Sequence, residues 1–192
     1  KKVTKEIVAF QGEKGAYSHL DCEEIFPQAT IKTCATFEET FKMASEDENI
    51  KIMVPIENSL AGRVADIHYL LTKYKLQIYS EHFQNVEHNL LVKEGTELKD
   101  IKYVRSHVQA IDQCQKIISK NKFKTIISAD TAGSAKDLST SNDKSIAAIA
   151  SKLSARIYNL KILKSNIEDD TGNVTRFLIM GKRSEERRVG KE

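Results

Sequence analysis

The segment Asn173-Val174-Thr175-Arg176-Phe177-Leu178-Ile179-Met180-Gly181 reads as a buried strand, its Phe-Leu-Ile-Met run closed by Gly181. Its leading residues Asn173, Thr175 and Arg176 are polar, and each can donate a hydrogen bond. On a strand, Thr175 and Phe177 face one side while Val174 and Arg176 face the other. A strand that is apolar at its end and cationic at its entrance suits the mouth of a cleft. Taken alone, a core strand with a solvated end and a surface arginine fits the same pattern, so the neighbouring segments must decide.

Immediately upstream, Glu168-Asp169-Asp170-Thr171-Gly172 is an acidic turn, preceded by a strand at Lys161-Ile162-Leu163 and a helix carrying Leu153, Ala155 and Ile157. Before these come the small apolar run Ile146-Ala147-Ala148-Ile149-Ala150 and a polar loop, Ser139 to Lys144. Thr125-Ile126-Ile127 is a strand followed by a helix start at Ala129-Asp130-Thr131-Ala132-Gly133-Ser134-Ala135, where small residues allow close approach of a ligand or another element. Tyr103-Val104 leads to Arg105-Ser106-His107-Val108-Gln109-Ala110-Ile111-Asp112-Gln113-Cys114, with Ser106 placed to cap a helix running to about Lys120. Gln109 and Gln113, four apart, share a helix face and form with Ser106 a neutral, donor-rich wall. His107 is a candidate ligand or acid, although a histidine beside a helix start is more often structural.

The first part of the chain repeats the pattern. Ile7-Val8-Ala9-Phe10 is a strand running into Gln11-Gly12-Glu13-Lys14-Gly15-Ala16-Tyr17-Ser18, and a helix follows to about Phe26. A glycine turn before a helix offers free backbone N–H groups that suit an anion, but no dinucleotide or P-loop fingerprint is present. Thr30 to Cys34 is a strand, and Thr36-Phe37-Glu38-Glu39 starts a helix with an N-cap Thr and Glu at the third position. Ile50-Lys51-Ile52-Met53-Val54 is a strand expected to end in Pro55-Ile56-Glu57-Asn58-Ser59. This polar trio lies at a strand's carboxyl end, where open α/β sheets bind ligands; capping of the next helix by Asn58 or Ser59 is the alternative. Leu76 to Tyr79 and Glu87 to Val92 are further strands. The pattern is a repeated β then α. It divides near Tyr79 to Glu87 into one lobe of about residues 5–80 plus a returning strand at 172–182, and another of about 85–168, with a cleft between them.

The chain of 192 residues is long enough to bury a core, and 40% hydrophobic and 30% charged residues indicate a soluble α/β protein. A net charge of +3 with scattered Lys and Arg excludes an evident nucleic-acid surface. Apolar runs are too short to span a bilayer, and no secretory leader is visible. Cys22, Cys34 and Cys114 form no metal-type pair and read as reduced thiols in a cytoplasmic protein. Both ends look cut, and residues 183–192, which lack apolar periodicity, read as a non-native tail.

Together, Gly12-x-x-Gly15-x-Tyr17-Ser18, Pro55-Ile56-Glu57-Asn58-Ser59, His88-Asn89-Leu90-Leu91, Ser106-His107-x-Gln109-Ala110 with Gln113-Cys114, Asp130-Thr131-Ala132, Ala147-Ala148-Ile149-Ala150-Ser151 and Asn173-x-Thr175-Arg176-Phe177 resemble the prephenate dehydratase catalytic domain. The pieces fall in the family's order from about Ile7 to Gly181. Val108 departs from the pattern, which usually has proline there.

The resemblance implies two lobes similar to type II periplasmic binding proteins, with the active site in the cleft. It also implies conversion of prephenate to phenylpyruvate, carbon dioxide and water in phenylalanine synthesis, without metal or other cofactor. Thr175 would be the main catalytic residue, donating toward the leaving hydroxyl, with Asn58, Ser106, Gln109 and Gln113 behind it and Glu57 in support. A threonine hydroxyl is a far weaker acid than a tyrosine, so it is expected to position a hydrogen bond or relay a proton rather than act as an independent acid. Arg176 is expected to grip the pyruvyl carboxylate or order the site; Ser18, Ser59, Thr131, Ala132, Asn173 and Phe177 would complete the substrate contacts. The alternatives are arogenate as substrate, a small-anion binding module of the same fold, or a truncated fragment of weak activity. The resemblance allows a homodimer and a native chain that continues into an ACT domain binding phenylalanine.

Overall fold

A computed structural model describes residues 5–184; most of the expected non-native tail therefore lies outside the described residues. Two compact units emerge. The first comprises residues 5–12, 21–84 and 174–184, and the second residues 13–20 and 85–173. Residues 13–20 therefore group with the second unit, which no linear pattern indicates.

The first unit is built on strands β1 (Ile7–Gln11), β2 (Thr30–Cys34), β3 (Ile50–Asn58), β4 (Gly62–Arg63), β5 (Gln77–Asn85) and β11 (Val174–Gly181). The sheet runs β2-β1-β3-β11-β5, with β4 paired to β3. β1 is parallel to β2 and β3, and β11 is antiparallel to β3. Helices α2 (Phe37–Glu46) and α3 (Ala65–Tyr74) supply Phe41, Ala44, Ile67 and Leu70 to a core with Ile52, Val54, Leu178 and Met180. Thr36 caps α2 as expected, its hydroxyl accepting from Glu39 N at 3.1 Å. The Glu39 carboxylate reaches back to Ala35 N at 3.1 Å, one residue beyond a regular capping box.

β3 is longer than expected. It continues through Pro55 to Asn58, because its pairing with β1 ends at Ile52 while that with β11 persists. The proline therefore removes no donor from the β1 ladder. A register shift between Arg176 and Phe177 leaves Ile56 as the extra residue of β3. Asn58 and Ser59 do not cap α3; its N-cap is Val64, and β4 intervenes.

The second unit has β6 (Asn89–Val92), β7 (Tyr103–Ser106), β8 (Lys124–Ile127), β9 (Ile146–Ala150) and β10 (Lys161–Lys164), in the order β10-β6-β9-β7-β8. β7 is parallel to β8 and β9, and β6 is antiparallel to β9 and β10. The helices are α4 (Val108–Asp112), α5 (Gln115–Asn121), α6 (Thr131–Thr140) and α7 (Lys152–Ile157). Leu90, Val92, Val104, Ile111, Ile149 and their neighbours form one core, and Leu91, Leu138 and Ala148 another. Ala147 to Ala150 of β9 are fully buried, as a central strand covered on both faces requires, and Ile146 at its start is partly buried. Helix α1 (Tyr17–Ile25) has its residues divided between the two units.

The loop before α1 does not leave its amides free. Gly15 N donates to His19 Nδ1 at 2.9 Å and Ala16 N to Glu13 O at 3.1 Å, so these groups are consumed within the turn rather than kept for an anion. Gly15 has φ +96, and an added Cβ would stand 2.5 Å from Ser154 Oγ and 3.1 Å from Ser154 Cα. Its carbonyl accepts from Ser151 Oγ at 2.6 Å and from Ser154 Oγ at 2.9 Å. Only glycine satisfies both the dihedral and the close approach. Gly15→Ala is expected to destabilise the protein by about 3 kcal/mol, read as a lower denaturation midpoint. Ser154→Ala would restore only part, because the dihedral stays strained; an unchanged midpoint in Gly15→Ala would show that this turn is not held as described.

Asp21, on α1 in the first unit, has no solvent exposure, and neither carboxyl oxygen has a hydrogen-bond partner. His82 Nε2 approaches Oδ1 to 3.3 Å but lies outside hydrogen-bonding geometry. Burial, with a smaller contribution from Glu24, pushes the Asp21 carboxyl up to about 8. The folded state thus binds a proton that the unfolded chain has released above its ordinary carboxylate pKa. This contribution is present at low pH and is lost as pH rises toward 8, by at most about 1.4 kcal/mol per pH unit for one proton. The stability of Asp21→Asn relative to the parent should therefore increase between pH 6 and pH 8 in thermal unfolding; a constant difference would contradict the buried, protonated carboxyl.

Candidate active site

In the first unit the chemistry-bearing residues lie on the β3–β11 ladder, where Thr175 stands opposite Asn58 and Arg176 opposite Glu57. Asn58 Oδ1 accepts the backbone N–H groups of Leu60 and Ala61, both at 2.9 Å, an Asx turn that fixes which end of the amide is oxygen. Asn58 Nδ2 is then directed at Thr175 Oγ1, 3.0 Å away. Because Thr175 Oγ1 accepts this bond, its own hydrogen is available to donate elsewhere. Ser59 is tied to the same ladder: Ser59 N donates to Val174 O and Val174 N to Ser59 Oγ, both at 2.9 Å.

Arg176 is engaged on two sides. Nε donates to Glu81 Oε2 at 2.8 Å, Nη2 meets the same oxygen at 2.6 Å, and Nη1 reaches Glu57 Oε1 at 3.2 Å. The guanidinium carbon lies 6.0 Å from the centroid of the Phe83 ring. Glu81, then Glu57, hold the guanidinium even further above its ordinary pKa. Glu81 was invisible in the sequence as a partner, being 95 positions from Arg176 on another strand. Phe177, expected among the substrate contacts, is buried in its unit.

In the second unit, Ser106 is fully buried and its Oγ donates to Ile149 O at 2.6 Å, joining β7 to β9. It does not cap the following helix. That role falls to His107, whose Nδ1 accepts from Gln109 N at 3.1 Å, so His107 has a structural position. The expected single helix is broken into α4 and α5 at Gln113 and Cys114. The break arises because Gln113 O accepts from Asp169 N at 2.7 Å while the Asp169 carboxylate receives Gln115 N at 2.7 Å and Lys116 N at 3.0 Å.

Gln113 Oε1 accepts from Asn173 Nδ2 at 2.9 Å and lies 2.7 Å from His88 Nε2. On the other side of the imidazole, Nδ1 is 2.6 Å from Tyr17 Oη. Burial pushes His88 down, partly opposed by its bond to Gln113, and burial together with the nearby Cys114, Glu168 and Glu87 pushes Tyr17 well above its ordinary value. Both side chains are therefore neutral at ordinary pH. Tyr17 and His88 lie in motifs that carried the resemblance but were not among the expected site residues; their signal was polar side chains at the entrances of otherwise apolar elements.

Thr131 opens α6, Ala132 is buried, and Asp130 caps the helix through Gly133 N. A Cβ at Gly133 would collide with the Asp130 carboxylate, so the small residue serves the cap. Ser18 lies on α1 and Gln109 on α4. Among the described residues no group of three or more His, Cys, Asp or Glu could hold a metal, and no helix is long and apolar enough to cross a membrane.

A family model described as prephenate dehydratase matches residues 8–185. A bifunctional N-acyl-homoserine lactone acylase/prephenate dehydratase from Komagataeibacter europaeus is 41% identical over 179 residues, covering 93% of this chain and 64% of the relative. Arogenate dehydratase/prephenate dehydratase 1 of Arabidopsis thaliana, a chloroplastic protein, is 39% identical, covering 93% of this chain and 46% of its own length. The crystal structure of prephenate dehydratase from Arthrobacter aurescens, described in complex with L-Phe, matches with a TM-score of 0.84 at 27% identity, covering 93% of this chain and 61% of that one. The chain thus spans less than two thirds of each of these proteins.

Proposed function

We propose, on the premise that this chain belongs to the prephenate dehydratase family, that it converts prephenate to phenylpyruvate with loss of carbon dioxide and water. The observation that carries this reading is the hydrogen bond from Asn58 Nδ2 to Thr175 Oγ1. It turns the threonine hydrogen outward as a donor held by the strand ladder.

Prephenate carries a ring hydroxyl and two carboxylates. Departure of the hydroxyl together with the ring carboxylate makes the ring aromatic, which supplies much of the driving force. The enzyme's task is to assist the leaving oxygen without stabilising the departing carboxylate in the ground state. Thr175, polarised by Asn58, donates to the leaving oxygen. Gln113, with Gln109, supplies neutral donors to the ring carboxylate, and Ser106 holds the strand that leads to them. A neutral amide binds a carboxylate far more weakly than a guanidinium does, so it orients that group without trapping it. Arg176, anchored by Glu57 and Glu81, faces the pyruvyl carboxylate or orders the site. Ser18, Ser59, Thr131, Ala132, Asn173 and Phe177 act in shaping and support rather than in the proton transfer.

The same side chains serve arogenate, in which an amine replaces the keto group. A cytoplasmic setting and a homodimer belong to the same reading, and the three free, buried cysteines fit a reducing compartment.

Phenylpyruvate formation from prephenate, with arogenate as parallel substrate, tests the reading. Thr175→Ala is expected to lower kcat by roughly 10²–10³, the usual loss when one transition-state donor is removed, and Thr175→Ser to keep part of the rate. A folded parent that turns over neither substrate would sink the reading. Arg176→Lys should raise KM several-fold by losing the forked geometry; a change in stability alone, with both kinetic constants intact, would exclude Arg176 from substrate binding.

A further inference from the structure

We propose that Tyr17 and His88 are positioning residues for Gln113, holding its carboxamide with the oxygen turned inward and both Nε2 hydrogens presented outward. The inference rests on the reading that Gln113 donates to a substrate carboxylate, and it explains how that amide acquires a single orientation.

With the Gln113 and Asn173 amides placed as they are, the direction of each bond in the chain follows. Gln113 Oε1 receives Asn173 Nδ2 at 2.9 Å and His88 Nε2 at 2.7 Å. An amide oxygen shared by two partners requires each of them to carry a hydrogen, so His88 bears its hydrogen on Nε2. Nδ1 then has only a lone pair, and Tyr17 must donate its hydroxyl hydrogen to it over 2.6 Å. Glu87 O, 3.2 Å from Tyr17 Oη, is a second, more distant acceptor for the same hydroxyl hydrogen. Reversing the Gln113 amide alone, with His88 carrying its hydrogen on Nε2 and Asn173 as placed, would set its NH2 group against two donors. That leaves two buried hydrogens without acceptors, a cost of about 1–3 kcal/mol for each orphaned group.

The surroundings hold this arrangement. The His88 backbone N–H donates to Glu168 Oε2 at 2.9 Å, and the two rings meet edge to face with centroids 5.5 Å apart. The Gln113 main chain is pinned by Asp169 N on its carbonyl and by Gln109 O and Ile111 O on its N–H. Both lone pairs of Gln113 Oε1 are occupied, while no described residue accepts from Nε2. A purely structural glutamine in a buried network would use its two hydrogens as well as its oxygen. His88 is buried and Tyr17 half-buried, and both are neutral, so the arrangement persists across ordinary pH.

A double-mutant cycle with an independent spectroscopic readout tests the proposal. His88→Leu is expected to reduce kcat by roughly 10–100-fold with little change in KM, as misplacement of a binding group does. His88→Gln, whose amide nitrogen stands near the position of imidazole Nε2, should recover most of the rate. In a Gln113→Leu background, His88→Leu should have no further effect, because it acts only through Gln113; a full additional loss there would overturn the proposal. Should His88→Leu fail to fold, Tyr17→Phe answers the same question with a smaller loss that must likewise vanish without Gln113.

Nitrogen NMR of the imidazole and of the Gln113 side-chain amide provides the readout that needs no turnover. The parent should show the Nε2–H tautomer and one sharp Gln113 NH2 pair, which broadens in His88→Leu while the remaining amide spectrum is retained. An Nδ1–H tautomer, or Gln113 signals unmoved by the substitution, would also overturn it. A parent that turns over neither prephenate nor arogenate removes the functional reading, and the NMR result still decides whether His88 orients Gln113.

Discussion

The antiparallel ladder between β11 and β3 is the constraint on which the first unit rests. It joins residues more than a hundred positions apart, Asn58 and Thr175 among them. It also supplies the sheet neighbour of β5, which would otherwise be a strand with no partner. Its apolar end sends Leu178 and Met180 into the core with Ile52, Phe41 and Ile67. A register slip of one residue would turn these side chains out of the core, and it would separate Thr175 from Asn58 at the same time. The placement of the threonine hydroxyl is therefore protected by the burial energy of the strand that carries it.

Because the register is set by packing, the polar end of the ladder needs only local devices to orient its amides. The same device occurs once in each unit. In the first, Asn58 Oδ1 is saturated by two backbone N–H groups, which leaves Nδ2 for Thr175. In the second, with His88 in the proposed tautomer, Gln113 Oε1 is filled by Asn173 and His88. A carboxamide is nearly symmetric in shape, so shape alone cannot choose between its two orientations. Filling the oxygen with two donors makes the choice electrostatic, and in a buried setting such a choice is costly to reverse.

Hydrophobic periodicity and turn chemistry made most elements legible: β1 and β9 follow from apolar runs, β2 from alternation, and α2 from Thr36 and its buried face. Thr175 and Asn58 stand out as candidates because each lies where a strand changes abruptly from apolar to polar, and the roles proposed for them come from the family resemblance. What the pattern missed is non-local. The continuation of β3 through Pro55 depends on which neighbour it pairs with at that point, and a single segment does not contain that information. The division of the Ser106–Lys120 helix depends on Asp169, more than fifty residues downstream. Ser106 itself has the composition of a cap, but it is buried in the sheet and its hydroxyl goes to Ile149 O on the neighbouring strand. Glu81 and His88 became partners only through long-range strand pairing and helix placement, for which one sequence offers no periodicity.

The distribution of charge makes the remaining point about chemistry. The single guanidinium on the β11 entrance is shared by Glu57 and Glu81, and two carboxylates around one cation reduce its attraction for a third. A free arginine placed against a carboxylate that must leave as carbon dioxide would deepen the ground state and raise the barrier. In the proposed reaction, an arginine already clasped, with uncharged Thr175 and Asn58 as the donors beside it on the ladder, orients an anionic substrate without holding it too firmly. On that reading the acidic residues beside Arg176 serve the same end as the neutral amides: both keep positive charge from concentrating on the group that departs.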